Sequence, residues 1–204
     1  MQGHIYPDPA YHILHQVFQL ATDNASTAMC RWTHGRVTLS LDRVDELPLE
    51  DVAQALEVGD DLLTMVILTL DGEDNGQLII TFDEINGRRL AASLLHREMC
   101  TEPDWTSLEK SALNETGNIL GCAYLGALTH LVDAELVPSP PYFVQDFGAS
   151  VLEQALMSQA MTEDKELVCR TGFHRDGENL NWNVIFVPGA SLRAKLEASA
   201  AMAE

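Results

Sequence analysis

The sequence predicts an α+β fold in which one structural unit occurs twice about a pseudo-two-fold axis, the two copies forming one compact body. Three observations point there. Two long helical segments, 11–31 and 107–131, recur at an offset near 100 residues. Gln54-Ala55-Leu56 in one half is answered by Gln154-Ala155-Leu156 in the other. Asp71-Gly72-Glu73 and Asp176-Gly177-Glu178 each separate two β-rich runs, with Gly supplying the positive φ of a tight turn. At 204 residues and 46% apolar, the chain can bury a substantial core.

Each element has a local reason. The second long helix opens with Thr106 and Glu109 at capping-box spacing, where hydroxyl and carboxylate each satisfy an orphan backbone N–H. Each long helix leads into an extended stretch, Arg36 to Leu41 and Glu135 to Gln145, and then a short helix. Hairpins follow: Asp61–Leu70 with Gln77–Phe82 through Asp71-Gly72-Glu73-Asp74, and Glu166–His174 with Asn181–Val187 through Asp176-Gly177-Glu178-Asn179. Helices at Arg88–Leu95 and Ala190–Ala200 close the two halves. The repeats are expected over 1–100 and 101–204, with 101–105 as linker around Pro103. Each sheet needs its apolar face covered, and the two halves can cover each other.

In the second long helix, Leu113, Gly117, Leu120, Tyr124, Ala127, Leu128 and Leu131 share one stripe at 100° per residue. That stripe is the expected core face. Ser111, Glu115, Asn118 and Cys122 stack on the opposite side, which places a carboxylate and a carboxamide next to each other at i and i+3. A surface Glu needs no explanation. A mid-helix Asn does, because its side chain competes for the backbone and weakens the helix by a few tenths of a kcal/mol or more. Asn118 is therefore a candidate functional residue, although Glu-x-x-Asn alone is a weak pattern that recurs at Glu178 and Asn181.

Charge and composition exclude several classes. Twelve Lys and Arg against 31 Asp and Glu give a formal charge of −19, which repels nucleic acid and anionic membranes alike. No apolar run approaches the roughly 20 residues that span a bilayer. Met1 to Pro9 is polar and reads as neither signal nor transit peptide. Cys30, Cys100, Cys122 and Cys169 lack metal-site spacing and are expected to be buried free thiols of a cytoplasmic protein. The seven histidines are scattered. There is no P-loop, no G-x-S-x-G and no catalytic triad.

On these residues the chain resembles the CheC/CheX/FliY phosphatases of bacterial and archaeal chemotaxis. The family signature is Asp or Ser, three residues, Glu, two residues, Asn, then 22 residues and Pro. Ser111, Glu115, Asn118 and Pro141 satisfy each fixed position and spacing, and Asn118-Ile119-Leu120-Gly121 is similar to the usual continuation. The duplicated layout and the length match the CheC branch, so the resemblance covers essentially the whole chain. The first half departs from the signature. Gln16 stands for Glu115, Gln19 for Asn118, His12 for Ser111 and Asp42 for Pro141, while Asn24 to Met29 stays family-like. Family members often carry two active helices; by this comparison the chain keeps one.

The resemblance implies a phosphatase acting on the aspartyl phosphate of a CheY-like receiver domain. Asn118 would position the attacking water, Glu115 would dock on the receiver's active-site Lys, and Ser111 and Cys122 would contact the partner. Pro141 would shape the strand after the helix. The implied cofactor set is none of its own, with Mg²⁺ supplied by the phosphorylated receiver. Partners would be that receiver and a CheD-type deamidase, with the chain a monomer. The competing reading is a non-enzymatic interaction module binding a receiver, CheD or a flagellar-switch partner. A further alternative is a small-molecule sensor using the cleft between the halves.

Overall fold

The computed structural model describes residues 9–202 apart from 57, 60, 133, 162–164, 176 and 177. Twelve elements follow in order: α1 (Pro9–Trp32), β1 (Thr38–Leu47), α2 (Leu49–Ala55), β2 (Leu62–Leu70), β3 (Gly76–Phe82), α3 (Glu84–Leu94), α4 (Ser107–Val132), β4 (Tyr142–Phe147), α5 (Gly148–Ala160), β5 (Glu166–Arg175), β6 (Glu178–Pro188) and α6 (Ala190–Met202). All strands join one antiparallel sheet in the order β1-β5-β6-β3-β2-β4. Exchanging the two halves reverses this order and leaves it unchanged, which is the expected pseudo-two-fold. Its axis passes between β3 and β6.

Two separate sheets covering each other do not form. The halves instead share hydrogen bonds: β1 pairs with β5 of the other half, and β4 with β2. Strands rich in β-branched and aliphatic residues satisfy their backbone groups more completely in one continuous ladder than at two extra edges. Side chains alternate across it. Val66, Leu68, Leu78, Ile80, Val184 and Phe186 face the layer holding α1, α3, α4 and α6. Met65, Ile67, Ile79, Ile185 and Val187 face α2 and α5. The period of two thus feeds two cores from one sheet.

Element boundaries shift where local chemistry competes. The strand expected from Glu135 starts only at Tyr142, because Pro138, Pro140 and Pro141 cannot donate to a ladder. The strand expected to end at Leu41 runs on to Leu47 past a register shift between Leu41 and Arg43. The helix expected from Arg88 begins at Glu84, since the Asp83 carboxylate caps it by accepting from the Asn86 N–H at 2.8 Å. In the first hairpin Gly72 has φ +103°, as a tight turn requires. The matching Asp176-Gly177 turn lies outside the described residues. Of four thiols expected to be buried, only Cys169 is; Cys30 and Cys100 are half-buried and Cys122 is exposed.

The linker between halves is pinned by charge. The Thr106–Glu109 capping box forms, with the Thr106 N–H donating to Glu109 Oε2 at 2.9 Å and the Glu109 N–H to Thr106 Oγ1 at 3.3 Å. Glu109 also meets Arg88 at 3.3 Å, both side chains buried. Arg88 stacks on Trp105 at 4.5 Å and donates to the Pro103 carbonyl. Its guanidinium and the Glu109 carboxylate are thereby satisfied together, the condition under which a buried pair is tolerated.

Candidate functional site

Helix α4 lies flush on the sheet because two of its sheet-facing positions are glycine. A Cβ at Gly117 would meet Val66 Cγ1 at 2.5 Å, and one at Gly121 would meet Leu68 Cδ2 at 2.5 Å. Either methyl would force the facing Val66 or Leu68 side chain, or the helix itself, to shift. The Pro141 ring packs beside Gly117, 3.5 Å from where that Cβ would lie. The predicted stripe holds: Leu113, Gly117, Leu120, Tyr124, Ala127 and Leu128 are buried. Tyr124 reaches furthest, its hydroxyl 3.1 Å from Cys169 Sγ and its ring 5.7 Å from that of Phe186. Burial pushes both of these acids up, Tyr124 well above 10.0 and the Cys169 thiol from 9.0 to about 12, so both stay protonated as structural groups.

The outer face of α4 borders an open groove of about 660 Å³. Ser111, Glu115 and Asn118 line one wall, and the Pro138-Ser139-Pro140-Pro141 loop forms the other. Glu115 and Ser111 are exposed, and Asn118 is half-buried. Among the described residues Glu115 has neither ion pair nor hydrogen bond. The Asn118 carboxamide meets, among the described residues, the Cys122 thiol alone, a weak donor 3.8 Å from Oδ1. Cys122 itself lies one turn further along, exposed and outside the groove. The site therefore presents an unengaged carboxylate and carboxamide at one edge of an open surface, where a protein partner could reach both.

The opposite wall is firmly held. The Ser139 N–H donates to the Thr69 carbonyl at 2.7 Å, the Thr69 N–H donates to Ser139 Oγ at 3.0 Å, and Pro138 bridges Leu70. The loop is thus an irregular continuation of the sheet edge, fixed to β2 under Gly117 and Gly121. Lys110 and Asn114 also line the groove, and sequence reasoning did not single them out. Their one available signal was spacing: they precede Asn118 by eight and four residues on the same helical side.

The first-half positions are arranged differently. Gln16 Nε2 lies 3.1 Å from His12 Nε2, and Gln19 Nε2 donates to Asp23 Oδ1 at 2.9 Å. Asp42 lies 3.8 Å from Arg170 beside Gly172, on a sheet edge where the other half has Pro141. In place of Gly117 stands Phe18, fully buried with its ring 6.0 Å from Phe186; in place of Gly121 stands Thr22, bonded to Thr171 at 3.0 Å. Among the described residues no group of His, Cys, Asp and Glu is placed to hold a metal ion, and no helix is long and apolar enough to cross a membrane.

No family model matches the chain. It is 22% identical over 166 residues to the CheY-P phosphatase CheC of Bacillus subtilis, covering 78% of this chain and 77% of that one. The chain is thus similar over most of its length to CheC-type phosphatases. The fold is similar to that of Thermotoga maritima FliY, whose structure superposes with a TM-score of 0.69 at 15% identity, over 99% of this chain and 100% of FliY. A structure of the CheX–CheY–BeF₃–Mg²⁺ complex from Borrelia burgdorferi matches with a TM-score of 0.53 at 18% identity, over 90% and 99% of the two chains.

Proposed function

We propose that this CheC-type chain is a phosphatase that removes the phosphoryl group from the active-site aspartate of a CheY-like receiver domain. One observation carries the reading: Glu115 and Asn118 stand unengaged on an exposed helix face beside a rigid loop, on a helix that glycines seat directly against the sheet. Phosphoryl transfer needs little covalent chemistry from a protein; it needs a positioned nucleophile and compensated charge. A carboxamide can accept one hydrogen bond from a water and donate another, so Asn118 holds the water for in-line attack without titrating. Glu115, one turn earlier, pairs with the receiver's active-site Lys and fixes the distance at which Asn118 enters. Mg²⁺ comes with the receiver and neutralises the phosphoryl oxygens. Ser111 contributes a small polar contact within the groove, and Cys122, exposed one turn beyond Asn118 and outside the groove, adds a contact at the periphery of the interface.

Support comes from the relatives. The Bacillus subtilis protein bears the name CheY-P phosphatase, and the CheX relative was captured with CheY, BeF₃ and Mg²⁺. The test is loss of acyl phosphate from a phosphorylated receiver, comparing wild type with Asn118→Ala at equal saturation. Wild type accelerates the loss, and Asn118→Ala forfeits that acceleration by about 100-fold or more while still binding. Binding by wild type without acceleration would overturn the enzyme and leave an interaction module in its place.

A further inference from the structure

A second site lies away from the α4 groove, where α1 ends and α3 and the β5–β6 hairpin meet. Two adjoining cavities share Arg36 and Ser93 as walls. The inner is a narrow recess bordered by Arg36, Arg89 and Arg175, with Asn86 and Trp182. The outer, about 250 Å³, adds Arg31 and the Trp32 side chain. In a chain with 31 acidic and 12 basic residues, no acidic residue among the described ones lines either cavity. The cations elsewhere are largely paired: Arg43, Arg88, Arg170, Arg193 and Lys195 all meet carboxylates. Among the described residues Arg31, Arg36, Arg89 and Arg175 meet none, and Arg36 instead donates to Ser93 Oγ at 2.8 Å. A second observation is independent of charge. Trp182 is 4% exposed and walls the recess, yet its buried Nε1–H has no acceptor among the described residues. The indole packs at the wall of the recess, where it reports on what fills it.

We infer that this is a binding site for a small phosphate monoester. Several guanidinium groups without counter-charge favour a dianion over a single carboxylate, and guanidinium forks match phosphate oxygens geometrically. The recess is too narrow for more than the oxyanion head, so the organic part lies in the outer cavity against Trp32. Asn86 and Ser93 add neutral polar contacts. The site is separate from the groove of Glu115 and Asn118, and the inference does not depend on the phosphatase reading.

The probe is phenyl phosphate, titrated into the full chain while the indole N–H signal of Trp182 is followed by NMR, assigned with Trp182→Phe. Phenyl phosphate shifts that signal saturably, and phenol at the same concentration does not. Arg89→Ala and Arg175→Ala, both at exposed positions, each weaken binding about tenfold. A Trp182 signal unmoved by phenyl phosphate, moved equally by phenol, or titrating unchanged in both arginine variants overturns the assignment.

Discussion

Helices α1 and α4 occupy equivalent places in a symmetric sheet, yet they rest on it by different means and show the solvent different chemistry. Under α4 the helix backbone meets Val66 and Leu68 directly, through Gly117 and Gly121. Under α1 the same two positions are Phe18 and Thr22, a ring in the core and a hydroxyl bonded to Thr171. On the outer faces the contrast continues. Gln16 and Gln19 pair with His12 and Asp23 of their own helix, whereas Glu115 and Asn118 leave their hydrogen-bonding capacity open. Duplication supplies two scaffolds, and the side chains facing in and out decide which one leaves its outer polar groups open. An internally satisfied face has less to gain from docking, because each existing bond must be broken first.

The contrast can be broken from either side. The largest expected effect is on the footing of α1. Phe18→Ala leaves a cavity against Phe186 and lowers stability by about 3–5 kcal/mol, read from the denaturant midpoint. Gly117→Ala is smaller in volume but acts at the site. Its methyl overlaps Val66 Cγ1, and relief through movement of α4 is expected to cost about 1–3 kcal/mol and to shift Asn118 relative to the Pro141 loop. The proposed phosphatase activity should therefore fall in Gly117→Ala by more than stability explains when both are measured below the unfolding transition. If activity survives unchanged, the close seating of α4 is irrelevant to the site.

A third effect sharpens the comparison through the pair beneath α4. Cys169 and Tyr124 have folded-state values raised above 9.0 and 10.0, so their neutral forms are favoured by folding. Their contribution is complete below about pH 9 and is lost as pH rises toward about 12. Denaturation midpoints should fall across that alkaline window. Cys169→Ser keeps a hydroxyl for Tyr124 and should flatten the fall; an unchanged alkaline limb would assign it elsewhere. The smallest expected effect is at the first helix. Gln16→Glu with Gln19→Asn restores the residue pair but neither the glycine footing nor the proline loop. The proposed phosphatase activity is expected to stay at the wild-type level, and a gain of activity would show that the pair alone suffices.

Much of this was readable before any coordinates. The capping box at Thr106, the buried stripe of α4 and the Gly72 turn depend on neighbours within a few residues, and local spacing records such neighbours faithfully. Ser111, Glu115 and Asn118 were legible for the same reason, since one helix carries all three. The opposite wall was less so. Pro141 could be read as a spacing, but the bonds tying Ser139 to Thr69 join positions 70 residues apart. The joining of β1 to β5 was hidden too, because periodicity says which face of a strand is buried and not which strand lies beside it. The arginine recess is assembled from α1, α3 and the second hairpin, so no stretch of sequence displays it.

That exchange of strands has a consequence for how the chain is made. On a ribosome, β1 emerges early, but its hydrogen-bonding neighbour β5 begins at Glu166. Until then Thr38–Leu47 has no ladder to join, and the first half cannot settle into its final sheet. Contacts this distant in sequence slow folding and leave an unpaired strand edge in the nascent chain. The amino-terminal half is therefore expected to be a client for holding chaperones rather than an autonomous folding unit. Opening the chain at the Asp71–Asn75 turn and linking its present ends would place β3 first and β2 last, and would change when that edge becomes covered while leaving the strand order of the sheet the same.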